Sequence, residues 1–148
     1  MQQELRVGGY QLTNLVQISE GGFGLIFKCQ DRVGKSLVLK KCSVQRQESF
    51  DTVQKEVQIL KRFKGNEGVV SILGESISMQ SGEAYILLEM CNGGHLLDKL
   101  NEAAENKSSQ AGLGHTDVCT YFTQVLSAMT ALHTAKPRFI VHRDIKCE

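Results

Sequence analysis

Short apolar runs separated by glycine-bearing turns fill the first ninety residues, and their lengths are those of β-strands. Residues 10–18 and 25–30 read as two strands with a Gly-rich turn between them. A third strand, 36–42, follows the turn Val33-Gly34-Lys35. Phe50, Val53, Val57, Leu60 and Lys64 then recur at steps of three or four, with Ile59 and Phe63 alongside. That spacing predicts an amphipathic helix over 49–63. Strands at 69–75 and 84–90 follow, joined by a turn at Ser81-Gly82.

The pattern changes after residue 90. Asn92-Gly93-Gly94 breaks the strand period and reads as a linker. Residues 95–104 suit a short helix, and the small, polar stretch 106–114 an exposed loop. Thr116 is a suitable N-cap for a second helix over 116–134. Val118, Tyr121, Phe122, Val125, Leu126, Met129 and Leu132 make its apolar face, and Lys136-Pro137 help to end it. Ile140-Val141 then lead into His142-Arg143-Asp144. Strands, helix, strands, linker and helix together predict a mostly β lobe, the start of an α lobe, and a ligand cleft where the linker joins them. No internal repeat or low-complexity tract interrupts this order.

Composition narrows the class. A chain of 148 residues holds one domain with a real core, or one small lobe and part of another. At 41% hydrophobic and 22% charged residues, it has the balance of a soluble globular protein. A net charge of +1 gives no electrostatic reason to expect nucleic acid or an anionic membrane as partner. The first nine residues lack an apolar h-region, so no signal peptide is expected, and every apolar run is too short for a transmembrane segment. Five cysteines without a CxxC spacing point to reduced thiols and a cytoplasmic location. Most of them are expected to be structural, as small buried hydrophobes.

Four places carry candidate chemistry. Ser19-Glu20-Gly21-Gly22-Phe23-Gly24 lies between two predicted strands, where glycines let backbone N–H groups approach a phosphate. The segment also fits a plain hairpin turn. A Rossmann motif would need a helix directly afterwards, and residues 25–30 read instead as a strand. Lys40 closes the apolar run Leu37-Val38-Leu39, a point charge at a protected surface, whereas Lys41 reads as a solvated strand-end lysine. Glu56 either faces solvent or turns to the sheet and pairs with Lys40, holding it where it can meet two phosphates. In His142-Arg143-Asp144-Ile145-Lys146, Asp144 suits proton acceptance from a hydroxyl and Lys146 suits neutralising a phosphoryl group.

Gly loop, strand lysine, helix glutamate and His-Arg-Asp loop arrive in the order of the eukaryotic protein kinases, which the chain resembles from Tyr10 to its end. Lys146 is similar to the serine/threonine type. The stretches Glu20-Gly21-Gly22-Phe23-Gly24, Met90-Cys91-Asn92-Gly93-Gly94 and Ile140-Val141-His142-Arg143-Asp144 further resemble the Numb-associated kinases, which include the adaptor-associated and cyclin-G-associated kinases. The resemblance implies an α+β, kinase-like fold. It has a five-stranded antiparallel small lobe with one helix, followed by the first helices of an incomplete α-helical large lobe. Its divisions are an N-terminal extension (1–9), small lobe (10–90), hinge (91–94) and the start of the large lobe (95–148). It implies ATP and Mg²⁺ as cofactors and a protein serine or threonine as substrate, with a clathrin-adaptor connection from the subgroup. By resemblance, Gly21, Gly24 and Phe23 would cover the phosphates, and Ile18, Ile26 and Val38 would lie against the adenine. Lys40 would bind the α- and β-phosphates and pair with Glu56. Leu88 would be the gatekeeper, and Glu89 and Cys91 would offer backbone groups to the adenine edge. Asp144 would be the catalytic base, assisted by Lys146, and Arg143 would be available to a phosphorylated activation loop.

Three departures matter. Ser19 stands where the first loop glycine usually falls, leaving the first turn less free. Val38 replaces the usual alanine under the adenine, and extra methyls in a packed slot cost about 1–3 kcal/mol if nothing moves. The family's Mg²⁺-binding asparagine would follow Glu148, so no metal ligand is assigned within these residues. The 148 residues are therefore expected to be inactive alone, as a truncated product or an incomplete sequence. Their second helix would then leave unmet a burial worth about 1.5–3 kcal/mol per large side chain. The competing reading is a non-catalytic, kinase-like module that binds nucleotide or a partner.

Overall fold

The structure, a computed structural model, describes residues 4–22, 24–105 and 112–147. Phe23 and most of the expected 106–114 loop lie outside the described residues. The chain divides into two compact units between Met90 and Cys91. The first holds β1 (Leu5–Val7), β2 (Tyr10–Gly21), β3 (Gly24–Gln30), β4 (Ser36–Ser43), α1 (Gln47–Arg62), β5 (Ile72–Ser78) and β6 (Glu83–Glu89). The second holds α2 (Leu96–Glu105) and α3 (His115–His133).

The six strands form one sheet in the order β1-β2-β3-β4-β6-β5, and every neighbouring pair is antiparallel. The sheet has one strand more than the five read from the sequence. Leu5–Val7, in the segment expected to be an extension, pairs with β2 at Leu5↔Leu12 and Val7↔Tyr10. Three residues with only two apolar side chains are too short to show a period, but Val7 is fully buried.

Strand alternation sends side chains to two cores, one on each face of the sheet. Leu37, Leu39, Leu87, Cys29, Leu12 and Val7 pack together on one face. Cys42, Val44, Ile72, Ala84 and Ile86 pack on the other, where α1 lays Val53 and Val57 on them with Phe50 and Leu60 at the margin. The sheet edges curl towards each other. Gly8, at φ +54°, sits so close to Gly74 that a Cβ on Gly8 would stand 2.5 Å from the Gly74 Cα. No side chain fits at that crossing.

Several boundaries differ from the sequence pattern for local reasons. α1 begins at Gln47, and Ser49, expected to open it, instead donates from Oγ to the Arg46 carbonyl (2.8 Å). β5 starts at Ile72 rather than residue 69, because the Val69 N–H closes a turn onto the Asn66 carbonyl and Leu73 is the extra residue of a bulge. α3 is capped by Gly114, whose carbonyl accepts from the Val118 N–H. Thr116 therefore lies inside the helix and is not its cap. The turn at 33–35 is held by Asp31, whose Oδ1 accepts from the Val33 and Lys35 N–H groups at 3.0 and 2.9 Å. No described helix is long and apolar enough to cross a membrane.

The cysteines correct the expectation that most are buried: Cys29 and Cys42 are, whereas Cys91, Cys119 and Cys147 are exposed. Burial, with the Asp31 carboxylate adding to it, pushes the Cys29 thiol up to about 11, and burial raises Cys42 too. Iodoacetamide should therefore alkylate Cys91, Cys119 and Cys147 in the native protein, and Cys29 and Cys42 only on unfolding. Mass mapping of the labelled peptides checks this. Gly74→Ala should lower stability by about 1–3 kcal/mol in urea unfolding, because its Cβ would lie 2.9 Å from the Gly8 Cα. An unchanged midpoint would refute the tight crossing.

Candidate active site

The first unit builds a cation site from β4 and α1. Leu37 and Leu39 belong to one core, so Val38 and Lys40 alternate to the opposite face, the one that carries α1. Register places Ile26 opposite Lys40 and Leu88 opposite Val38, hence on that same face. Glu56 comes from α1, one residue before the buried Val57, on the turn that looks towards the sheet. The two meet: Lys40 Nζ lies 2.6 Å from Glu56 Oε1 and 2.8 Å from Oε2. The lysine side chain is 13% exposed and that of the glutamate 37%, so the ammonium is shielded while the carboxylate meets solvent.

Beside the pair opens a hollow of about 580 Å³, lined by Gly21, Gly24, Lys40, Thr52, Val53 and Glu56 among others. Its roof is the β2–β3 hairpin, whose tip pairs Gly21 with Gly24. The two glycines do different things. Nothing stands within 4 Å of a Cβ built on Gly21. Gly24, at φ +115°, passes so close to the Lys41 carbonyl that a Cβ would lie 2.2 Å from its oxygen. Gly24 is thus required by the fold itself, whatever the hairpin binds. Ser19 is paired with Ile26 in extended strand, a conformation any residue adopts, so its departure from glycine leaves the backbone unstrained. Ile18 is the extra residue of a bulge and is 52% exposed.

Leu88 packs at the margin of the α1-side core. Glu89 donates its N–H to the Ser71 carbonyl (3.0 Å), and its side-chain Oε1 accepts from the Ser71 N–H (2.6 Å). The Ser71 N–H also holds the Glu89 carboxyl below its ordinary range. Lys41 is not the solvated lysine its position suggested. Its Nζ pairs with Glu83 (2.6 Å) and lies 5.6 Å from the Tyr85 ring, and the Tyr85 hydroxyl donates to Glu83 (2.7 Å). The Glu83 bond raises the lysine and, in return, holds the Glu83 carboxyl down. Sequence reading missed this cluster because its members become neighbours only through the β4–β6 pairing.

The second unit carries the His-Arg-Asp segment as irregular chain anchored at both ends. The Ile140 N–H donates to the Leu132 carbonyl at the end of α3 (3.0 Å). The Cys147 carbonyl accepts from the Leu97 N–H at the start of α2 (2.9 Å). Between these anchors Arg143 takes φ +67°, which a non-glycine residue adopts only where its surroundings hold it. The Asp144 N–H donates to His142 Nδ1 (3.3 Å). Asp144, Lys146 and Cys91 are all exposed.

Lys40, shielded and held by two carboxylate oxygens beneath a glycine hairpin, fits the phosphates of a nucleotide in charge and position. Among the described residues no three His, Cys, Asp or Glu side chains converge to hold a metal ion.

Comparison with known proteins agrees with this chemistry. Residues 12–148 match the protein kinase domain family. The chain is 30% identical, over 97% of its length, to a probable serine/threonine-protein kinase of Dictyostelium discoideum. It is 28% identical over 98% to serine/threonine-protein kinase ppk30 of Schizosaccharomyces pombe, and 26% over 97% to actin-regulating kinase PRK1 of Saccharomyces cerevisiae. It spans between 13% and 18% of the lengths of these relatives.

The Glu83 shift has a pH consequence. A carboxyl depressed in the folded state adds stability above its unfolded value near 4.5, and that stability is lost as pH falls through the folded value. Between about pH 6 and about pH 3, the wild-type melting temperature should therefore fall further than that of Glu83→Gln. Parallel curves would show that the Lys41–Glu83 pair contributes nothing.

Proposed function

The chain belongs to the protein kinase family, and on that premise we propose that it is the nucleotide-holding part of an ATP-dependent protein serine/threonine kinase. One observation carries the reading: the shielded Lys40, held by both Glu56 carboxylate oxygens, on the floor of the hollow beneath the glycine hairpin. ATP, when bound, supplies the phosphoryl group for transfer. The work of the residues is to bind and orient. Glu56 keeps Lys40 extended towards the α- and β-phosphates, and Gly21 leaves open space for them under the hairpin. Ile26, Val38 and Leu88 offer an apolar wall to the base, with Ile18 at its edge. The Glu89 carbonyl and the Cys91 backbone take its polar edge. Asp144 receives the proton of the substrate hydroxyl and Lys146 balances the charge of the group in transit. These 148 residues are expected to bind nucleotide, with Mg²⁺ supplied alongside it.

Within the family we place the chain beside the Numb-associated kinases, on the hairpin, hinge and His-Arg-Asp stretches quoted above, and expect a clathrin-adaptor subunit among the substrates. Two relatives are named actin-regulating kinases, so a role in actin regulation is the second reading. Phosphorylation of an adaptor subunit by the full-length protein tests the first choice, and its absence would remove it.

The direct test is thermal shift with ATP. ATP should raise the melting temperature of the chain, Lys40→Ala should abolish the shift, and Glu56→Gln should shrink it. A chain that melts cooperatively but ignores ATP would sink the nucleotide reading and favour a module that binds only partners.

A further inference from the structure

Away from the glycine hairpin, the seam where β1 approaches β5 carries a groove of about 470 Å³, lined by Arg6, Gln11, Arg32, Glu75 and Ser76 around the Gly8 turn. Arg6 and Gln11 are directly opposed strand partners and so share a face. Arg32, from the turn between β3 and β4, donates its Nε–H to Gln11 Oε1 at 2.5 Å. That bond fixes the plane of the guanidinium and leaves its terminal nitrogens for another acceptor. Both arginines are exposed, and among the described residues neither makes an ion pair. Two neighbouring acids are already engaged. Glu75 is paired with Lys61, and Asp31 accepts the two backbone N–H groups of its turn. The groove thus presents two guanidinium groups and a serine hydroxyl, beside a Glu75 carboxylate whose charge Lys61 balances.

We propose that this groove binds an oxyanion displayed on a peptide, namely a phosphoserine or phosphothreonine flanked by acidic residues in a protein partner. Two guanidinium forks and a hydroxyl match the several acceptor oxygens of a phosphate monoester. A peptide suits the site better than a membrane does. The feature is a groove with polar walls on a chain of net charge +1, and a lipid surface would call for a broad basic face. The proposal is independent of the nucleotide reading, because no residue is shared with that site.

Fluorescence anisotropy on the 148-residue chain tests it. The probe is a fluorescein-labelled peptide, Gly-Glu-phosphoserine-Glu-Gly, measured beside its unphosphorylated form. Saturable binding is expected for the phosphopeptide. Arg6→Gln and Arg32→Gln should each weaken it about tenfold, as loss of a charge-assisted hydrogen bond does. Ser76→Asp should do the same by adding a negative charge while both arginines remain. The melting temperatures of all three variants should match wild type, since the altered side chains are exposed. Equal affinity for the two peptides, or affinity unchanged in all three variants, would overturn the proposal. Inorganic phosphate competing as well as the peptide would overturn the peptide part. Binding to phosphatidylserine vesicles without binding to the phosphopeptide would replace it with a membrane site.

Discussion

The period of two along β4 is the constraint on which the first unit rests. Leu37 and Leu39 fill one core, and the intervening positions give Val38, Lys40 and Cys42 to the face under α1. A slip of one residue would push Lys40 into a core without a partner and turn Leu39 towards the hollow. Burying an unpaired ammonium is so costly that this register has no near competitor. The same register brings Ile26 opposite Lys40 and Leu88 opposite Val38, so the apolar wall and the cation are set by one pairing. On the other face it sets Lys41 opposite Tyr85 and within reach of Glu83, a second clamp between β4 and β6.

Glycine decides how far this sheet can bend and where the hairpin lies. At Gly8 and Gly74 two backbones touch with no room for a methyl group, which lets the first strand close over the core filled by Val7 and Leu12. At Gly24 the chain passes over the Lys41 carbonyl in a conformation reserved for glycine. The hairpin is therefore tied to the strand that carries Lys40. Its position over the hollow comes from backbone packing, and Gly21 and Gly22 are left with their Cβ directions open.

The second unit shows a different economy. Two backbone hydrogen bonds, at Ile140 and at Cys147, hold the His-Arg-Asp segment at its ends, and a left-handed Arg143 shapes its middle. Its side chains are exposed, as are Val118, Phe122 and Leu126 on α3, while Leu132, next to the anchor at Ile140, is buried. The segment's path thus depends on main-chain contacts to α2 and α3.

Local patterns in the sequence determined a good deal by themselves. The amphipathic period of α1, the long strands and the apolar stripe of α3 follow from side-chain spacing, which needs no distant partner to be read. The kinase-like order of motifs was legible for the same reason, since each motif is contiguous. What the tertiary structure alone decided involves residues far apart in the chain. The strand at Leu5–Val7 exists because β2 and the core beneath it accept three residues too few to show a pattern. Glu56 could face solvent or the sheet on its period alone, and it was the packing of Val53 and Val57 that turned it to Lys40. Lys41, solvated by its position in the sequence, found Glu83 only when β6 paired with β4. Gly24 looked like a phosphate-loop glycine, but its first requirement, the nearness of the Lys41 carbonyl, is a distance between two strands that no linear pattern contains.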